Sequence, residues 1–142
     1  MDEYLYATTK ICDSWDAASD VVVTVDVALN GAETANDVIQ FEVLSEYYGE
    51  HEDMDTPKTQ TRSIDHDIVS NNGAGEVHTL QFRLDYDLAD NVIQANDILK
   101  LRFRLDSVAG GTDVAAVRFL FATVRCRTAK PAPEVGTFPT EG

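Results

Sequence analysis

Three histidines, two cysteines and several short runs of aspartate are the residues of this chain whose types could do chemistry. A catalytic histidine needs a carboxylate to orient its ring and a reacting group within hydrogen-bond reach. Asp65-His66-Asp67 supplies carboxylates, but neighbours on a strand point to opposite faces, so neither orients the ring well. His51 lies in an acidic stretch, and His78 takes a core-facing position on a later strand. The three read as structural or solvated, no catalytic residue is assigned, and an enzyme is not expected.

Calcium collects six to eight oxygens, usually from one tight loop. Asp53 with Asp55, Asp65 with Asp67, and Asp85, Asp87 and Asp90 are the candidate clusters. None carries the glycine and closing glutamate of an EF-hand loop. The run Asp85–Asp90 is the best placed, because it ends a strand and enters a loop, yet it reads as a solvated acidic turn before it reads as a metal site. No metal site or cofactor is expected. The glycine-rich segments 71–75 and 110–111 lack the Lys-Ser/Thr and following helix of a phosphate loop, so they are turns. Cys12 and Cys126 have no metal-ligand spacing. They lie near opposite ends of the domain, where first and last strands of a sandwich can be neighbours, and are expected to be free buried thiols.

The elements that position these residues announce themselves by alternation. Val21, Val23, Val25, Val27 and Leu29 share one parity, with Thr24 and Asp26 on the other, as in a half-buried strand. Ile39, Phe41 and Val43 repeat the pattern, as do His78, Leu80, Phe82 and Leu84, and then Leu99, Leu101, Phe103 and Leu105. Further strands are expected over Tyr4–Thr9, Arg62–Val69 and Val114–Arg127. Residues 45–60 read as a long, exposed acidic loop, and Asn71–Gly75 as a hairpin turn. Helical signal is confined to single turns in Ser14–Ser19 and near Asn91–Ala95. Seven to eight or more strands separated by polar turns predict an all-β fold, an antiparallel β-sandwich of jelly-roll-like type over residues 1–128. Residues 129–142 hold three of the four prolines and predict a short extended tail. In the last strand, Val117, Phe119 and Phe121 share a parity that would turn Arg125 and Arg127 inward. A bulge near Ala122–Thr123 would repair the register; the alternative is a strand covered on both faces, the second by another subunit.

A length of 142 residues fits one domain with its own core. The net charge of −14 is unevenly distributed. Residues 1–56 hold 14 acids and one base, whereas residues 57–142 hold 11 acids and 10 bases. This balance argues against nucleic acid and against anionic membranes, both of which require a basic footprint. No run approaches the apolar length of a membrane span, and the amino terminus lacks the basic start and apolar core of a signal peptide, so synthesis in a cytoplasm is expected.

The outward positions of the later strands form a basic set: Arg83, Lys100, Arg102 and Arg104, joined by Arg125 and Arg127 once the last register is repaired. If those strands are close in space they make one cationic stripe. Like charges on adjacent strands cost stability unless they meet acids. Pairing with Glu42 and Asp26 on the same sheet is one resolution; docking against an acidic surface is the other. Arg83, Lys100, Arg102, Arg104, Phe119, Phe121, Arg125 and Arg127 are therefore the interface candidates.

Residues 80–127 carry a resemblance. Leu80-Gln81-Phe82-Arg83-Leu84-Asp85-Tyr86, the Asn96-Asp97 turn into Ile98–Asp106, Thr112-Asp113-Val114, and Val117-Arg118-Phe119-Leu120-Phe121 resemble the closing strands of β-sandwich domains in bacteriophage virion proteins. Arg104-Leu105-Asp106 departs from the tighter Arg-Asp ending of that pattern. The resemblance implies a capsid decoration (cement) or head-fibre protein on the virion surface, assembled in the host cytoplasm. Its implied partners are a major capsid protein and copies of itself in a homo-oligomer, and it brings no catalytic residues. In this role the acidic loop 45–56, with Tyr47 and Tyr48, would face solvent. The alternative is a carbohydrate-binding or adhesion module, for which Trp15, Tyr47 and Tyr48 are the stacking candidates.

Overall fold

The computed structural model describes residues 4–70, 73–105, 114 and 116–127. Seven antiparallel strands build it: β1 (Tyr4–Lys10), β2 (Val21–Leu29), β3 (Val38–Tyr48), β4 (Lys58–Asp67), β5 (Val77–Leu84), β6 (Ile98–Leu105) and β7 (Val117–Arg125). They form one sheet in the order β1-β6-β3-β4 and a second in the order β5-β2-β7. The fold is the expected all-β sandwich, with no helix among the described residues.

The alternation seen in the sequence is the alternation of the core. Val21, Val23, Val25, Val27 and Leu29 are fully buried; Leu80, Phe82 and Leu84 flank them on the neighbouring β5, and Ile39, Phe41, Val43, Leu99, Leu101 and Phe103 meet them from the facing sheet. Phe103 is the hinge of this packing, with its ring centroid 6.3 Å from Phe41 and 5.4 Å from Phe119. Burying each such side chain contributes about 1.5–3 kcal/mol, so the two inner faces together dominate stability.

Chain order is less local than the sequence suggested. Among the seven described strands only β3 and β4 are consecutive neighbours within one sheet; the other successive pairs lie in different sheets. Asn71–Gly75 was expected to close a hairpin, but β4 and β5 belong to different sheets. The described part of this segment is a crossover turn: Gly75 adopts φ of 86°, and its N–H donates to the Leu29 carbonyl at 2.8 Å. A turn signal fixes where a chain reverses, not which sheet it enters next.

Two further expectations are corrected. The acidic loop begins only after Tyr48, because β3 continues through Ser45 and Tyr47, both fully buried. The apolar pattern fails there, with Leu44 outward and Ser45 inward, but Leu101 and Leu99 of β6 lie opposite and complete the ladder. The bulge in β7 falls at Leu120 rather than at Ala122–Thr123. Asp26 pairs with Phe121 and the next residue, Val27, with Phe119, leaving Leu120 extra. Phe119 remains against the core, whereas Leu120 and Phe121 are 51% and 62% exposed. The earlier bulge returns Ala122 and Val124 to the inner face beside Val25 and Val23. The expected turn at Gly110-Gly111, together with Asp106, Thr112, Asp113 and the Pro-rich segment 129–142, lies outside the described residues.

Candidate functional site

The six cationic candidates do not form one stripe. Lys100, Arg102 and Arg104 project from the outer face of the four-stranded sheet, while Arg83 and Arg125 project from the outer face of the three-stranded one, on opposite sides of the slab. Outward parity was legible in the sequence. Which sheet each strand joins was not.

On the larger sheet, β6 lies between β1 and β3, and its cations form rungs across three strands. Tyr4, Arg104 and Glu42 are in register, as are Tyr6, Arg102 and Leu44, and Thr8, Lys100 and Glu46. The Arg104 guanidinium donates to both Glu42 carboxylate oxygens at 2.8 and 3.2 Å. Arg102 stacks over the Tyr4 ring at 4.7 Å and Lys100 over the Tyr48 ring at 5.3 Å. Cations held against tyrosine faces are desolvated on one side and open on the other. Beside them β1 is an edge strand whose Leu5 and Tyr6 are 41% and 69% exposed. The pairing with Glu42 anticipated from the sequence is present; Asp26 is on the other sheet and accepts instead from the Thr79 hydroxyl at 2.6 Å.

On the smaller sheet, Val22 stands opposite Arg83 on one side and Arg125 on the other. Together with Arg127 they line a shallow depression of about 610 Å³. Arg125 donates to Thr24 Oγ1 at 3.2 Å, and Arg127 stands 3.8 Å from Asp16. The Arg83 guanidinium makes no hydrogen bond or ion pair with any described residue.

No protein-family model, curated protein or solved structure matches the chain.

The reading of the site therefore stands on its chemistry. Where β4 of one sheet meets β5 of the other, a polar seam replaces the apolar core. Gln60 donates to the Tyr47 hydroxyl at 3.0 Å and to the Asp85 carbonyl at 2.7 Å, and accepts from the Asp85 N–H at 3.0 Å. Tyr47 in turn donates to the Asn91 carbonyl, and Arg62 pairs with Asp85. Further along the seam, His66 and His78 are in contact through their ring nitrogens at 3.0 Å. Burial, and secondly the proximity of His78, hold His66 below the ordinary imidazole range, with Asp67 opposing. The sequence placed these histidines on separate strands; the signal that could have joined them is their common inward parity. Asp65 and Asp67 are exposed, on the face opposite His66, as the strand geometry required.

Of the acidic clusters, Asp85 is committed to Arg62, and among the described residues no three His, Cys, Asp or Glu side chains converge as metal ligands do. The stacking candidates separate: Trp15 and Tyr47 are buried in the core, and only Tyr48 reaches the outer face. Cys12 and Cys126 are free and half-buried, and they are neighbours. Desolvation, reinforced by a hydrogen bond with the Cys12 side chain, pushes the Cys126 thiol up to about 11. The linkage is built by the backbone, where Asp16 N–H donates to the Arg127 carbonyl at 2.7 Å and closes the 12–16 turn onto the end of the chain's last strand.

Proposed function

We propose that this chain is a structural component of a virion surface, of the decoration or cement type, which binds a capsid shell and neighbouring copies rather than transforming a substrate. The observation that carries this reading is the placement of cations on both outer faces of the slab, half-buried at Lys100, Arg102 and Arg104 and exposed at Arg83 and Arg125, on a chain whose net charge is −14. Lys100, Arg102 and Arg104 offer one contact surface; Arg83, Arg125 and Arg127, with exposed Phe121 on the same sheet, offer another. Two opposed surfaces allow one subunit to touch a shell with one face and a neighbour with the other, which is what cementing requires. Arginine and aromatic side chains together are also the residue types that anchor protein interfaces. The resemblance of residues 80–127 to phage virion sandwiches supports the same reading.

The test is co-sedimentation of the purified protein with shells assembled from a purified major capsid protein. Saturable binding, weakened when Lys100 and Arg102 are both changed to Glu, is the expected result. A protein that stays in the supernatant at every concentration while the shells pellet overturns the proposal.

A further inference from the structure

The arginine depression on the smaller sheet and the acidic β3–β4 loop are complementary in charge, in apolar content and in position. Arg83 and Arg125 flank Val22 from the two adjacent strands, so their Cα atoms are about 10 Å apart across the sheet. Val22 and Ala18 give the depression an apolar floor, and Arg127 closes its rim. One acid, Asp20, shares the lining, and it accepts from the Tyr86 N–H at 3.4 Å. Two guanidinium groups on one outer face favour a carboxylate seated between them, and the Arg83 guanidinium makes no hydrogen bond or ion pair with a described residue.

The loop following Tyr48 is the most acidic segment of the chain, with Glu50, Glu52, Asp53 and Asp55 in six residues. It is held rigid from inside: Gly49 N–H donates to Glu52 Oε2 at 2.6 Å, Asp55 N–H to Asp53 Oδ1 at 2.9 Å, and Thr56 N–H to the Asp53 carbonyl at 3.2 Å. Glu52 is bound to Lys58, whereas Asp53 and Asp55 have no cation among the described residues and flank Met54, which is 57% exposed. A methionine between two aspartates matches a valine between two arginines.

Both features lie at the same end of the sandwich. Tyr48, where the loop begins, pairs with Ile98, and Leu84, one residue beyond Arg83, pairs with Val21. Gln60 beside the loop's return strand bonds directly to Asp85, which follows Leu84. A twofold axis past that end would seat each copy's loop in the other's depression, giving two identical contacts and a closed pair. We infer that the Arg83–Arg125 depression is the receptor for the Asp53-Met54-Asp55 loop of a second copy of this chain. The contact rests on the reading of the chain as an assembly protein and names one of its subunit interfaces, but its test involves no shell.

Sedimentation velocity at ~0.15 M salt tests it, because a screening length of about 8 Å suppresses the general repulsion of two acidic chains while leaving contact pairs intact. Two variants are compared, Arg83→Glu/Arg125→Glu and Asp53→Arg/Asp55→Arg, each checked for a native circular-dichroism spectrum. Wild-type protein is expected to dimerise with rising concentration, and each variant alone to lose about tenfold or more in association constant. In an equal mixture the native loop of the first variant meets the native depression of the second, and the reversed loop meets the reversed depression, so both contacts are complementary and a heterodimer is expected. Wild-type protein that stays monomeric, variants that associate as wild type does, or a mixture that does not recover, each overturns the assignment. Failure here with intact shell binding would leave the virion reading standing, and loss of shell binding with intact pairing would do the reverse.

Discussion

His66 Nε2 lies 3.0 Å from His78 Nδ1, with ring centroids 5.1 Å apart and nearly perpendicular, at the edge where the two sheets of the sandwich meet. One ring donates and the other must accept, so the contact requires at least one of the four ring nitrogens to be bare at the right place. Protonating both rings leaves two donors facing each other.

Stability is consequently expected to fall on acidification. His66 is held below its ordinary range in the fold by burial and then by His78, while in the unfolded chain it titrates near 6.5. Below that value the unfolded state binds more protons than the folded one, so stability decreases as pH falls, and the loss levels off once folded His66 also protonates. Urea midpoints measured between about pH 7.5 and about pH 5.5 should fall for the wild type and fall less for His66→Leu. Equal slopes for the two proteins would remove His66 from the account.

Lys58 ties the acidic loop to the body of the molecule by bonding both Glu52 and Asp97, each at 3.1 Å between charged atoms. The Asp97 side chain is 1% exposed and its Oδ1 has no hydrogen-bond partner among the described residues. Lys58→Met is expected to cost about 3–5 kcal/mol, because it strands a buried carboxylate. The double change Lys58→Met/Asp97→Asn should cost less than the single one, as read by denaturant unfolding.

Gly49 is required by the same aspartate. A Cβ at this position would stand 2.6 Å from Asp97 Oδ1, inside any permitted contact. Gly49→Ala should destabilise the protein by about 1–3 kcal/mol, the usual cost of overpacking. Gly31→Ala, where a Cβ meets nothing within 4 Å, is the matched control and should change the thermal midpoint little.

Phe103 bridges the sheets, touching Phe41 on its own sheet and Phe119 on the other. Phe103→Ala should cost about 3–5 kcal/mol, whereas Phe121→Ser, at an exposed position two residues beyond Phe119 on β7, should fall within about 0.5 kcal/mol. Equilibrium unfolding of the two variants checks the position of the bulge, since a register with Phe121 in the core would equalise them.

Cys126 should resist alkylation. With its thiol pushed up to about 11, almost none is thiolate at neutral pH, and the thiolate is the reacting form. Iodoacetamide labelling followed by peptide mass spectrometry should be much slower at Cys126 in native protein than in urea, and the two rates should converge once the fold is lost.

Much of this molecule was legible without coordinates, for a definite reason. A strand half-buried in a sandwich must alternate, so the spacing of Val21 to Leu29, His78 to Leu84 and Leu99 to Leu105 determined three strands and their inward faces directly. The same parity identified Arg83, Lys100, Arg102 and Arg104 as outward-facing. Alternation has only two values, however, and a sandwich has two outer faces. Whether Arg83 and Lys100 share a face depends on which strands pair, and pairing is decided by long-range packing that leaves no mark on local spacing. The extra residue at Leu120, the burial of Ser45 and Tyr47, and the meetings of His66 with His78 and of Cys12 with Cys126 are of the same kind. Each is set by a partner distant in the chain, so only the tertiary structure could decide it.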